Sequence, residues 1–287
     1  MAENSNWSRS AGSLPKKSNP LFSLLASYVA LALGALAMAQ EQSAVAAKIN
    51  FVAWGDAIPG LSLKSEGAGT TFQAESFTYS HSIPYRGPAI VEIFQAAGQG
   101  NANSSNTPQT PEQKPDVNPS SSPDDAAKRK SALAKELDRR REKDASLVAL
   151  ARIPAGCTRA TILLQSLGNG TYQAYVINDD PAQLPPGKLR IQNLSPFPIS
   201  IKIASAEKPF QVQPNQQVTL PAQDGNLIYE LSYLQGKEWK YQENNIVRVS
   251  PEEQTQMLVL RSENEFFVSS GGSIGGFLQN VVLRRSP

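Results

Sequence analysis

His81 is the chain's one histidine and Cys157 its one cysteine, so acid–base and nucleophilic chemistry have little material to draw on. A hydrolytic serine needs an imidazole base that a third group orients. Ser80 and Ser82 flank His81, but Ser80-His81-Ser82-Ile83-Pro84 reads as a turn and no G-x-S-x-G elbow occurs. The simpler assignment is a surface histidine. Cys157 follows Gly156 and precedes Thr158, with Arg152 and Arg159 nearby. Cationic neighbours activate a thiol by lowering its pKa, yet the site reads more simply as a small residue packed at a strand edge. One histidine excludes a multi-histidine metal site, and one cysteine excludes a disulfide framework or a cysteine zinc cluster. Asn178-Asp179-Asp180-Pro181 gathers three oxygen-bearing side chains. It lacks the spacing of a calcium loop and matches an ordinary Asx turn. Glu252-Glu253 after Pro251 is a turn of the same kind. The glycine-rich stretch at 270–276 lacks the Lys-Ser/Thr ending of a phosphate loop. No catalytic, metal-ligating or cofactor-binding residue is assigned.

Trp239, Lys240 and Tyr241 make the one candidate ligand-binding group. Rings at i and i+2 share one side of a strand, with Lys237 and Lys240 alongside. An exposed pair of this kind stacks on sugar rings or anchors a partner protein. The competing role is to cover the edge of a core, and the same choice arises for Trp54 and Tyr85.

The elements that must position these residues are strands. Leu189, Ile191, Ile199, Ile201 and Ile203 alternate with Arg190, Gln192, Ser200 and Lys202. Leu227, Tyr229, Leu231 and Tyr233 alternate with Ile228, Glu230 and Ser232. A period of two predicts half-buried strands with one polar face. Asn169-Gly170 between two apolar runs signals a two-residue hairpin. Pro185-Pro186-Gly187, Ser195-Pro196 and Pro221 mark further turns. Only 18% of residues are charged, and the 21 prolines and 19 glycines favour short strands over long helices.

The first residues read as an address. Arg9, Lys16 and Lys17 precede an uncharged apolar run from Leu21 to Ala37, closed by Ala37-Met38-Ala39. That order is a secretory signal peptide over 1–39. If uncleaved, the same run would anchor the chain in a membrane, the one membrane contact expected. Cleavage removes three of the 27 basic residues and one of the 25 acidic ones, leaving no formal net charge. A globally basic nucleic-acid binder is thereby excluded. The body is expected outside the cytoplasm, in the periplasm, the cell envelope or the surrounding medium.

From Gln95 through Thr171 the chain holds no Phe, Trp or Tyr, and prolines recur at 108, 111, 115, 119 and 123. Within that stretch the Asn-, Ser-, Gln- and Pro-rich tract from Ala96 to Pro123 cannot offset its ordering entropy by burial. Asp124/Lys128, Asp125/Arg129 and Glu136/Arg140 then fall at helical i,i+4 spacing. Leu133 and Leu137 form a seam too narrow for burial, so residues 97–145 are expected to be a disordered linker plus a solvated, charged helix. The basic runs Lys128-Arg129-Lys130 and Arg139-Arg140-Arg141 have acidic neighbours that cancel most of their field.

The chain also resembles itself. Lys48-Ile49-Asn50-Phe51 parallels Lys188-Leu189-Arg190-Ile191, and Leu61-Ser62-Leu63-Lys64 parallels Ile199-Ser200-Ile201-Lys202. Ile90 to Phe94 parallels Leu227 to Tyr233, and Ala151 to Leu164 parallels Val247 to Leu260. Two related antiparallel β-sandwich units follow, one from 40–96 with 146–187 and one from 188–287. Each is close to the ~100 residues of a seven-strand sandwich. This pattern, with phrases such as Arg190-Ile191-Gln192-Asn193-Leu194-Ser195-Pro196, resembles the immunoglobulin-like sandwich modules of exported bacterial proteins. The resemblance implies an all-β fold and transfers no catalytic residues. The expectation is an exported structural or binding protein without catalytic activity or cofactor, its partner an envelope protein or a glycan. A carbohydrate- or protein-binding module centred on Trp239 and Tyr241 is the sharper version. A secreted hydrolase with scattered acids is the rival.

Overall fold

The structure, a computed structural model, describes residues 44–65, 68–95, 124–204, 206–221, 225–262 and 277–286. The expected leader, the proline-rich tract at 96–123 and the glycine-rich stretch at 270–276 lie outside these residues. Among the described residues the fold is all-β apart from one helix. In order come β1 (Ala44–Trp54), β2 (Ile58–Ser65), β3 (Ala68–Ser76), β4 (Ile83–Pro88), β5 (Ile90–Gln95) and helix α1 (Asp124–Arg141). β6 (Leu147–Arg152), β7 (Arg159–Ser166) and β8 (Tyr172–Asn178) complete the first half. The second half holds β9 (Lys188–Asn193), β10 (Ile199–Ile203), β11 (Phe210–Val212) and β12 (Gln217–Pro221). It closes with β13 (Asn226–Gln235), β14 (Glu238–Arg248), β15 (Gln254–Arg261) and β16 (Leu278–Arg285).

The strand pairing of β1–β8 recurs in β9–β16. β1 lies between antiparallel β4 and parallel β7, and β7 pairs with β8. β9 likewise lies between antiparallel β12 and parallel β15, and β15 pairs with β16. β2 lies between β3 and β5, with β6 beyond. β10 lies between β11 and β13, with β14 beyond. Even single pairs recur: Lys48 faces Pro84 and Lys188 faces Pro221. One difference is that β3 also joins β1 through Val52 and Ala53, which makes the first eight strands one continuous sheet. The second eight form two sheets, β12-β9-β15-β16 and β11-β10-β13-β14.

Alternation explains the cores. Leu227, Tyr229, Leu231 and Tyr233 are buried against Leu189, Ile191, Met257 and Val259, so the two sheets of the second half share one apolar interior. Ile49, Phe51, Leu61, Leu63, Val91, Ile93 and Ile162 fill the corresponding interior of the first half. A third cluster has no counterpart in a half-buried pattern. Val52, Trp54, Leu163 and Ile177 pack on Leu258, Leu260, Val281 and Leu283, joining the outer faces of the two halves. β7 and β15 are therefore buried on both faces along most of their length and carry the apolar runs Ile162-Leu163-Leu164 and Met257-Leu258-Val259-Leu260.

Four expectations need correction. The sheets are mixed instead of antiparallel, because β1 runs parallel to β7 and β9 parallel to β15. The alternation of β9 predicts a polar, solvated face for Arg190, which is only 1% exposed because that face packs against the first half. The hairpin after β7 forms with a loop from Leu167 to Thr171 instead of a two-residue turn. Gly168 and Gly170 both take positive φ in it, and Asn169 Oδ1 accepts from the Thr171 amide. The helix is docked instead of solvated: Leu137 is buried with Ile90, Phe94, Leu147 and Leu150, and Leu133 packs beside it. Two leucines suffice because the sheet contributes most of the apolar surface. The helix's Glu136/Arg140 pair is made as expected.

Candidate functional site

Two places concentrate polar or exposed side chains. The first lies between the halves. Arg190 on β9 donates from Nη2 to Asp179 Oδ1 at 2.6 Å, from Nη1 to the Asn178 carbonyl at 2.6 Å and from Nε to Gln256 Oε1 at 2.8 Å. The other Asp179 oxygen accepts from the Thr161 hydroxyl and faces Arg285 Nη1 at 3.4 Å. Arg285 stacks over the Tyr79 ring at 4.1 Å, and burial pushes the Tyr79 hydroxyl well above its ordinary pKa. One carboxylate is thus shared between two arginines, each of its oxygens facing one of them, and Thr161 adds a hydrogen bond, as a buried charge requires. Asp179 is 2% exposed, so the cluster cannot take up a ligand. Its work is to fasten β8 to β9 and β16. Asp180, beside it, instead accepts from the Thr158 amide and hydroxyl.

The second place is the outer face of the β13/β14 pair. Leu227, Tyr229, Leu231 and Tyr233 point inward, which leaves Ile228, Glu230, Ser232 and Leu234 outward. Their opposite numbers on β14 are Ile246, Asn244, Tyr241 and Trp239. Ile228 is 49% exposed, Trp239 43%, Tyr241 65% and Ile246 59%. Four large apolar side chains therefore lie on one sheet face in water. Gly236, with φ 64°, makes the turn that joins the strands. A register shift after Leu231 leaves Gln242 unopposed. Its amide accepts from the Leu278 N–H and donates to the Leu278 carbonyl, while Asn280 Nδ2 donates to Glu243 at 2.6 Å. Arg284 reaches the Arg248 carbonyl at 3.2 Å. The bulge thus ties β14 to β16 and holds the aromatic residues on the far side.

Of the candidate trio, the structure brings Trp239 and Tyr241 together on this face. Lys240 falls between them on the alternate side, opposite Tyr233, and its ammonium pairs with Glu238 at 2.6 Å. Ile228 and Ile246 complete the patch and were not singled out from sequence. The signal was present: each is apolar at a position where the strand's period calls for a polar residue. Trp54 and Tyr85 belong to the interior. Tyr85 donates to the Pro88 carbonyl at 2.7 Å and lies so close to Gly87 that a Cβ there would stand 2.8 Å from its oxygen. Burial raises the Tyr85 hydroxyl to about 12.

The remaining candidates are dispersed. His81 is exposed, as are Pro251 and Glu252, while Glu253 is half-buried. Cys157 is buried, and burial, reinforced by the Asp180 charge, pushes its thiol up to about 11. Arg152 and Arg159 do not activate it. A shallow recess of about 350 Å³ is lined by Gly225, Asn226, Arg248, Val249, Ser250 and Pro251. Among the described residues, no three His, Cys, Asp or Glu side chains converge as metal ligands, and no helix is long and apolar enough to cross a membrane. No protein-family model matches this chain, and comparison with curated proteins finds no significant sequence relative.

Proposed function

We propose that this chain is an exported envelope protein that works by binding, without catalysis, through the outer face of β13 and β14. In this reading it consists of two related immunoglobulin-like sandwich units fused back to back, the first interrupted by the segment that carries α1. The repeated pairing of eight strands supports the duplication. The basic, apolar and small-residue order of the first 39 residues supports export.

The observation that carries the reading is the contrast between the two halves. On the first, Ile90, Phe94, Leu147 and Leu150 lie on the outer face of β5 and β6 and are buried under α1. On the second, Ile228, Tyr241, Ile246 and Trp239 occupy the outer face of β13 and β14 and meet water. Clustered apolar exposure of this kind marks interaction sites. The protein, purified without its leader, should be retained by envelope fractions of its native cells or on a glycan array. A Trp239→Ala/Tyr241→Ala variant should lose at least tenfold of that signal. Equal retention of both proteins would remove this face from the function.

A further inference from the structure

We infer that the outer face of β13 and β14 receives an amphipathic helix of another protein, one with leucines four residues apart and an arginine one turn beyond the second. The inference rests on the reading above that the halves are related and that this face binds.

The register identifies the equivalent positions. Ser62 faces Phe94 and Leu63 faces Ile93, with the irregularity of β5/β6 falling between Ile93 and Phe94. Ser200 faces Ser232 and Ile201 faces Leu231, with the irregularity of β13/β14 falling between Leu231 and Ser232. Superposing these irregularities matches Ile90 with Ile228, Glu92 with Glu230, Phe94 with Ser232, Leu147 with Tyr241, Leu150 with Asn244 and Arg152 with Ile246. Lys64 then matches Lys202.

On the first half, this surface already holds a helix. Leu133 and Leu137 sit on its apolar residues, and Arg140 Nη1 reaches Glu92 Oε1 at 2.6 Å. The second half keeps the acid, Glu230, in the middle of its apolar patch. Among the described residues its ion-pair partner is Lys202 at 3.7 Å, with both side chains about half exposed or more. Such a pair contributes little and yields readily to a better-placed arginine. Glu230 therefore supplies charge complementarity to the same kind of helix that Glu92 holds. A strand added to the free edge of β14 fits less well, because Gln242, Glu243 and Arg248 already tie that edge to β16. A face held open beside a fastened edge suits a helix laid across it.

The test places a benzoylphenylalanine photo-crosslinker at position 246 of the full chain in its native cells, with position 252 as a control. The expected product joins position 246, and not 252, to a segment of another protein that is helical and carries the two leucines and the arginine. Glu230→Arg should reduce that product at least tenfold and Glu92→Gln should leave it unchanged. Crosslinks from 246 to a glycan, an extended segment or a second copy of this chain would overturn the helix while leaving the face a binding surface. Absence of any product specific to 246 would overturn both. A product insensitive to Glu230→Arg would overturn the charge match and with it the inference.

Discussion

Arg190 Nη2 and Asp179 Oδ1 stand 2.6 Å apart in the interior, one side chain from each half of the molecule, both almost wholly shielded from water. Their charges cannot be separated without stranding one of them. Asp179→Asn leaves Arg190 buried without a counter-charge, and such a loss costs about 3–5 kcal/mol. Urea unfolding of the variant should show that loss. Asp179→Leu combined with Arg190→Met and Arg285→Met should recover most of it, since none of the three paired charges then remains. An Asp179→Asn protein as stable as the wild type would show that the pair does not fasten the halves.

Leu137 is the main apolar attachment of α1. Truncating a buried leucine costs about 2–5 kcal/mol, and here the loss falls on one docked element. Leu137→Ala should therefore accelerate hydrogen exchange throughout α1 and leave the strands of the sandwich interiors protected. Uniform destabilisation of all strands would contradict this.

Glu136 accepts from Arg139 and Arg140, which hold its carboxyl down at about 2 against an ordinary value of 4.5. A depressed carboxyl stabilises the fold while ionised. Its contribution is complete above about pH 4.5 and disappears as pH falls toward 2. Amide protection in α1 should fall across that window in the wild type. A Glu136→Gln variant should start lower at neutral pH and fall less. Parallel pH profiles would remove Glu136 from the docking of the helix.

Cys157 combines burial with a raised thiol. The native protein should react negligibly with a thiol reagent at pH 8, and full reactivity should return in denaturant. Fast modification of the folded chain would reopen a chemical role for this residue.

Trp239 and Tyr241 touch water on the outer sheet face and make no part of either interior. Replacing each by serine should change unfolding free energy by about 1 kcal/mol or less, in keeping with surface positions. A larger loss, measured by urea titration, would mean that the rings cover the core instead of awaiting a partner.

Local sequence determined the strands, the helix and the inward phase of the residues between them. The alternation of Leu227, Tyr229, Leu231 and Tyr233 with polar neighbours fixes which face is buried, because side chains on a strand alternate at a period of two. The matched phrases at Lys48 and Lys188 stand at corresponding places in the pairing. Trp239 and Tyr241 share a face for the same reason. Tertiary structure alone decided what each polar phase meets. Arg190 and Lys202 occupy similar alternating positions, yet one is sealed against Asp179 and the other faces solvent. Likewise Leu137 is buried only because β5 and β6 present Ile90, Phe94, Leu147 and Leu150 beneath it. A residue's period reports its own strand or helix. Burial of the opposite face depends on a surface built from distant segments, and no local pattern encodes that surface.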